Sequence, residues 1–138
     1  MKILSVDLGT KHTGLAVCDT GEILASPVGT VNESSFKKCC EKVAKKAGEL
    51  EVGEIVVGLP VNMDGTKGES AKRCEDFARM LEKLSGIKVN LFDERKTTVL
   101  AHTYLNDTNT RGQKRKDIID TVSAVILLED YLKFKHNI

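Results

Sequence analysis

Apolar residues along this chain recur with two periods, and the changes of period mark the element boundaries. Residues 2–8 are dominated by Ile3-Leu4-Ser5-Val6, and residues 13–18 by Gly14-Leu15-Ala16-Val17. Each run has strand length, and the short glycine-containing segment between them suits a hairpin. Asp19-Thr20-Gly21-Glu22 predicts a second turn and 23–31 a third strand. The period then becomes helical. Phe36, Cys39, Cys40, Val43, Ala44, Ala47 and Leu50 share one stripe, so the spacing predicts an amphipathic helix over 35–50, with cap chemistry in Asn32 to Ser35. Glu54-Ile55-Val56-Val57-Gly58-Leu59, closed by Pro60, reads as a buried parallel strand between helices.

Residues 61–68 read as a polar loop, and Thr66-x-x-Glu69 as a capping box. Ala71, Cys74, Phe77, Ala78, Leu81 and Leu84 give the apolar face of the next helix, which Gly86 ends. Val89-Asn90-Leu91-Phe92 is a fifth strand running into Asp93-Glu94-Arg95. Residues 97–105 predict a shorter helix, and 106–116 a basic loop without apolar period. The last helix is expected from near Lys116 to about Lys133, carrying Ile118, Ile119, Val122, Val125, Ile126 and Leu127.

The order β-β-β-α-β-α-β-α-α predicts an α/β fold: a mixed five-stranded sheet, three antiparallel hairpin strands then two parallel strands, flanked by helices. At 138 residues the expectation is a single domain over 1–138. Charge adds little globally, because 21 basic residues against 20 acidic ones leave a net +1, so local patches decide. No run of about 18 apolar residues is present, and Asp7 interrupts the first apolar segment, so neither a membrane span nor a signal peptide is read. A cytoplasmic protein is expected. Cys18, Cys39, Cys40 and Cys74 form no C-x-x-C pair and read as reduced core residues.

The candidate chemistry is acidic. Open α/β sheets collect ligands at the carboxyl ends of their strands. Asp7 ends the first strand, and Gly9 lets the backbone turn close to whatever that carboxylate holds. Asp93 or Glu94 ends the fifth strand; alternation sends the two to opposite faces, so one of them faces the site. Asp120 stands at the edge of the last helix's apolar stripe, with Asp117 one turn earlier. Three acids from distant points make a cage for Mg²⁺ or Mn²⁺, which want several carboxylate oxygens. Two such ions about 4 Å apart would stabilise both oxygens of a phosphodiester displacement. The competing reading makes these acids caps and surface charges, with Asp93 pairing Arg95. Arg111, Lys114, Arg115 and Lys116, joined by Lys11 and Arg95, could grip phosphates and make binding salt-dependent. The histidines are too scattered for a triad or zinc site, and aromatic residues are scarce, so recognition by charge and shape fits better than base stacking.

Four motifs in order resemble the YqgF/RuvX family of Holliday-junction-resolvase-like proteins. They are Asp7-x-Gly9 with Gly14-x-Ala16, then Gly58-Leu59-Pro60 leading to Met63-Asp64-Gly65, then Asp93-Glu94-Arg95 with Thr97-Thr98, then Lys114-Arg115-Lys116 with Asp120. The resemblance runs nearly end to end. It implies an RNase H-like fold and a divalent-metal nuclease site at Asp7, Glu94 and Asp120. It implies nucleic acid as partner: the small-subunit precursor, matured at the 5′ end of pre-16S rRNA, or branched DNA in Holliday-junction resolution. It fits a monomer or weak homodimer. Two rivals stand beside it. Asp7-Leu8-Gly9-Thr10 also resembles the first phosphate motif of actin-like ATPases and sugar kinases, although no second glycine-rich loop follows. The other is a non-catalytic RNA-binding assembly factor for the small ribosomal subunit.

Overall fold

Two apolar clusters, one on each side of a single sheet, explain why the elements fall in the order they do. The computed structural model describes residues 1–60, 68–93 and 112–136, with backbone alone over 112–120. Strands β1 (Ile3–Asp7), β2 (His12–Cys18), β3 (Ala25–Asn32), β4 (Glu54–Leu59) and β5 (Lys88–Asp93) lie in the order β3-β2-β1-β4-β5. The first three pair antiparallel, and β4 and β5 join parallel to β1. The expected mixed five-stranded sheet is therefore present. Helices α1 (Phe36–Leu50), α2 (Glu69–Ser85) and α3 (Gly112–Lys135) accompany it.

Strand alternation sorts the core. Leu4, Val6, Ile55 and Val57 face α1 and α2, packing on Val43, Phe77 and Leu81. Ile3, Ala16, Val56 and Phe92 face the other way, onto Ala124, Leu127, Leu128 and Tyr131 of α3. All four cysteines are buried and free, as expected of core residues. Burial raises the thiol pKa of Cys40 to about 11, so that thiol stays protonated and inert.

The boundaries hold with three corrections. Residues 23 and 24 are not strand: Ile23 and Leu24 donate their backbone N–H groups to the Asp19 carboxylate (2.7 and 3.1 Å), so the turn is wider and β3 starts at Ala25. The N-cap of α2 is Gly68 rather than Thr66 of the expected capping box, which lies outside the described residues, and Glu69 stands in the first turn. There its charge complements the helix dipole. The last helix starts at Gly112 rather than near Lys116. Gln113, Lys114, Arg115 and Lys116 are good helix formers, and a polar first turn shows no apolar period to reveal it. The loop expected over 106–116 is helical from 112, while its residues 106–111, the helix expected over 97–105 and residues 61–67 of the expected polar loop lie outside the described residues.

At the edge where β1 and β4 begin, a charged network ties α3 to the sheet. Buried Glu54 accepts from Asn90 Nδ2 (2.8 Å), Lys135 Nζ (3.2 Å) and the Tyr131 hydroxyl. Burial pushes the Glu54 pKa up, but these donors outweigh it and hold the carboxyl below its usual range. Tyr131 is pushed to about 12 by burial and by Glu54. Glu22 accepts from His136 Nε2 (2.8 Å), Lys135 Nζ (3.2 Å) and the Met1 amine (3.3 Å). Burial opposes ionisation there too, yet the three donors bring its pKa to about 2.

A depressed carboxylate stabilises the fold above its unfolded pKa and loses that contribution as pH falls through its folded pKa. Glu22 therefore contributes fully above about pH 4.5 and loses its contribution toward pH 2. Urea unfolding across that window should show stability falling with pH, and Glu22→Gln should both lower stability at pH 6 and flatten the slope. An unaltered slope in the variant would show that the network is not formed in solution.

Candidate functional site at the carboxyl edge

The sheet's register decides which strand-end acids share a face. Ile3, Ser5 and Asp7 alternate with Leu4 and Val6 along β1, and Ile3 belongs to the α3 cluster. Ser5, fully buried, donates its hydroxyl to the Ala124 carbonyl of α3 at 2.7 Å. Asp7 is thus on the α3 face, half-buried, at the carboxyl end of the central strand, where it pairs with Gly14 of β2.

Val6 pairs with Val57, and Gly58 with Phe92, so the row through Asp7 continues to Gly58 and Phe92. On β5, Asn90 and Phe92 meet Tyr131 of α3, through a 3.2 Å hydrogen bond and an edge-on ring contact at 5.6 Å. Val89 packs instead against the α1/α2 cluster. Alternation therefore puts Asp93 on the α1/α2 face, opposite Asp7. Between the outer members of the row, Gly58 contributes no side chain.

Helix α3 runs against β1. Lys135 meets Glu54 at the start of β4, and Ala124 meets Ser5 midway along β1. Followed backwards from Ala124, the helix heads for the edge where β1 ends. The backbone of Asp120 lies one turn before Ala124.

Residues 1–134 match the family model described as RuvX, Holliday junction resolvase. The chain belongs to the RuvX family. Membership makes it a nuclease, a hydrolase acting on nucleic acid. A relative from Lachnospira eligens, named "Putative pre-16S rRNA nuclease", is 41% identical over 98% of this chain and 99% of its own. One of the same name from Thermoanaerobacter pseudethanolicus is 38% identical over 99% of each. Among solved structures, RuvC of T. thermophilus in complex with a Holliday junction substrate superposes with a TM-score of 0.63 at 11% identity, covering 99% of this chain and 96% of that one. The fowlpox virus resolvase, solved with Holliday junction DNA, gives 0.61 at 13%, covering 98% and 99%. These two share the RNase H-like fold.

Within this RuvX chain the described residues account for part of the expected site. Asp7 is at the edge, and exposed Lys11 follows in the β1–β2 loop. Lys114, Arg115, Lys116 and Asp120 belong to α3 by backbone. Glu94, Arg95 and Arg111 lie outside the described residues. Among the described residues, no three His, Cys, Asp or Glu side chains converge as metal ligands. Asp7 nevertheless fits a hard cation in kind, being an oxygen donor at a ligand-collecting edge.

Two residues to which the sequence reading gives no role support this edge. Ser5 fixes α3 against β1, and no pattern in an apolar strand distinguishes it from filler. Arg73 of α2 donates Nη1 to the Gly9 carbonyl at 3.0 Å, while Gly9 N–H reaches Thr13 Oγ1 at 3.4 Å. The turn these bonds hold is tight. A Cβ on Gly9 would stand 2.1 Å from the His12 carbonyl oxygen, a backbone atom that cannot swing aside. Gly9→Ala should therefore cost about 1–3 kcal/mol in urea unfolding and impair cleavage through the displaced turn. Wild-type stability in that variant would contradict the tight turn.

Proposed function

We propose that this chain is a metal-dependent phosphodiesterase that matures the 5′ end of pre-16S rRNA in the cytoplasm, with Asp7, Glu94 and Asp120 as its Mg²⁺ or Mn²⁺ ligands. The observation that carries the reading is the register: Asp7 and the α3 helix occupy the same face at the same edge. From Ser5 to Asp7 the strand advances about 6.6 Å, and from Ala124 back to position 120 the helix retreats about 6 Å, so both keep pace from the Ser5–Ala124 bond. Asp93 faces the opposite side, which supports its neighbour Glu94 as the strand-five ligand. Asp120 is preferred to Asp117 because it shares Ala124's row on α3.

The bound cation would supply Lewis-acid stabilisation of the charge that develops on the phosphoryl oxygens. The carboxylates hold it, and the polar edge admits water as the attacking group, so no Ser, Cys or His nucleophile is required. Arg111, Lys114, Arg115 and Lys116, with Lys11 and Arg95, contact substrate phosphates beside the site. The rRNA substrate is favoured over branched DNA because near-full-length relatives at 38–41% identity bear the rRNA name, whereas the junction-bound structures are alike only in fold. The compartment follows from the substrate and agrees with buried free thiols. No helix among the described residues is long and apolar enough to cross a membrane.

Cleavage of a pre-16S 5′ fragment and of a four-way DNA junction, with and without Mg²⁺, tests this directly. Asp7→Asn, Glu94→Gln and Asp120→Asn should each reduce RNA cleavage by about 100-fold or more with the thermal midpoint preserved. Asp93→Asn should stay within a few-fold of wild type. Full activity in Asp7→Asn would defeat the proposal, and preference for the junction would reassign the substrate.

A further inference from the structure

Arg73 occupies an unusual position for a surface-helix arginine. It flanks the apolar stripe of α2, one turn before buried Phe77. Two acids stand within helical reach, Glu69 four residues before it and Asp76 three after. Neither takes it: Asp76 pairs with Arg79, and Glu69 stays exposed. The guanidinium turns instead to the Gly9 carbonyl and lies over the Phe36 ring, 5.7 Å from its centroid. Phe36 is itself braced edge-on against Phe77, with centroids 5.6 Å apart.

A carbonyl dipole and a ring face orient a guanidinium but leave its unit charge uncompensated. Among the described residues no carboxylate pairs with it. If its only task were to hold Gly9, a neutral amide would serve without the cost of half-burying a charge. Arginine has five donors in a rigid fork, and the Gly9 bond uses Nη1 alone. The remaining donors suit the paired oxygens of a phosphodiester. The location agrees, since Gly9 is two residues beyond Asp7 in the turn at the carboxyl edge. Arg73 reaches that turn from the α1/α2 side, whereas Asp7 faces α3. The two therefore flank the edge rather than share one ligand.

We propose that Arg73 contacts a backbone phosphate of the bound nucleic acid, displaced along the strand from the phosphate that is cut. The inference rests on the nuclease reading for its substrate class, but not on the metal.

Binding of a labelled single-stranded RNA, followed by fluorescence anisotropy in EDTA across a salt series, separates a phosphate contact from a structural brace. A brace does not change the number of counterions released. Arg73→Gln should reduce the slope of log K against log salt by about 0.7 and weaken binding about tenfold at low salt. Arg73→Lys should keep the slope. Should the Gln variant fold poorly, the unaltered chain gives the same answer: RNA should shield Arg73, but not exposed Arg79, from phenylglyoxal. An unchanged slope in Arg73→Gln, or equal Arg73 reactivity with and without RNA, overturns the assignment and leaves the nuclease reading standing. An unaltered chain that binds neither RNA nor junction DNA overturns both.

Discussion

The packing of α3 across β1 is the constraint on which the rest depends. Its energy comes from a dry contact: Ile3, Ala16 and Val56 of the sheet against Ala124, Leu127 and Leu128. Burying each large aliphatic side chain there contributes roughly 1.5–3 kcal/mol. The Ser5–Ala124 hydrogen bond adds only about 1 kcal/mol net. Yet apolar contact is non-directional and would tolerate a helix shifted along its axis. Polar bonds select one register: Ser5 donates to Ala124 inside the contact, and Tyr131 and Lys135 donate to Glu54 at its end, where unpaired buried groups would be costly. Stability thus comes from area, and the alignment of helix with strand end comes from a few directional polar bonds.

The two ends of the sheet are built differently. At the edge where β1 and β4 begin, Glu22 and Glu54 are saturated by Lys135, His136, Tyr131 and Asn90, and their carboxyls are held ionised by donors from the chain itself. That end works as a clamp on the end of α3. At the opposite edge the turn after Asp7 is stiffened by hydrogen bonds from Gly9 N–H to Thr13 and from Arg73 Nη1 to the Gly9 carbonyl.

Much of this was legible in the sequence. Strand and helix periods gave the sheet and its helices, since alternation in β1 and the stripes of α1 and α2 are set by burial that nothing else competes with. The Glu54–Leu59 strand matched residue for residue. The start of α3 was missed because propensity, not periodicity, drives a polar first turn. The β3 boundary was missed because Ile23 and Leu24 look like strand residues, and the Asp19 carboxylate overrides them. For the candidate site, the position of Asp7 at the end of β1 was readable. The face taken by Asp93 needed register, which sequence alone leaves open to one-residue slips; Glu94 lies outside the described residues. Arg73 and Ser5 were not legible, because their roles depend on partners sixty or more positions away.

The central claim is that carboxylates distant in sequence share one cation at this edge. Titrating Mn²⁺ into isotope-labelled protein and reading paramagnetic broadening of the backbone amides tests it most directly. The account predicts that signals at Asp7, Glu94 and Asp120 vanish together at sub-stoichiometric Mn²⁺, while those of Gly53 and Lys135 at the far edge persist. Broadening confined to one of the three segments, or spread evenly over the surface, would contradict it.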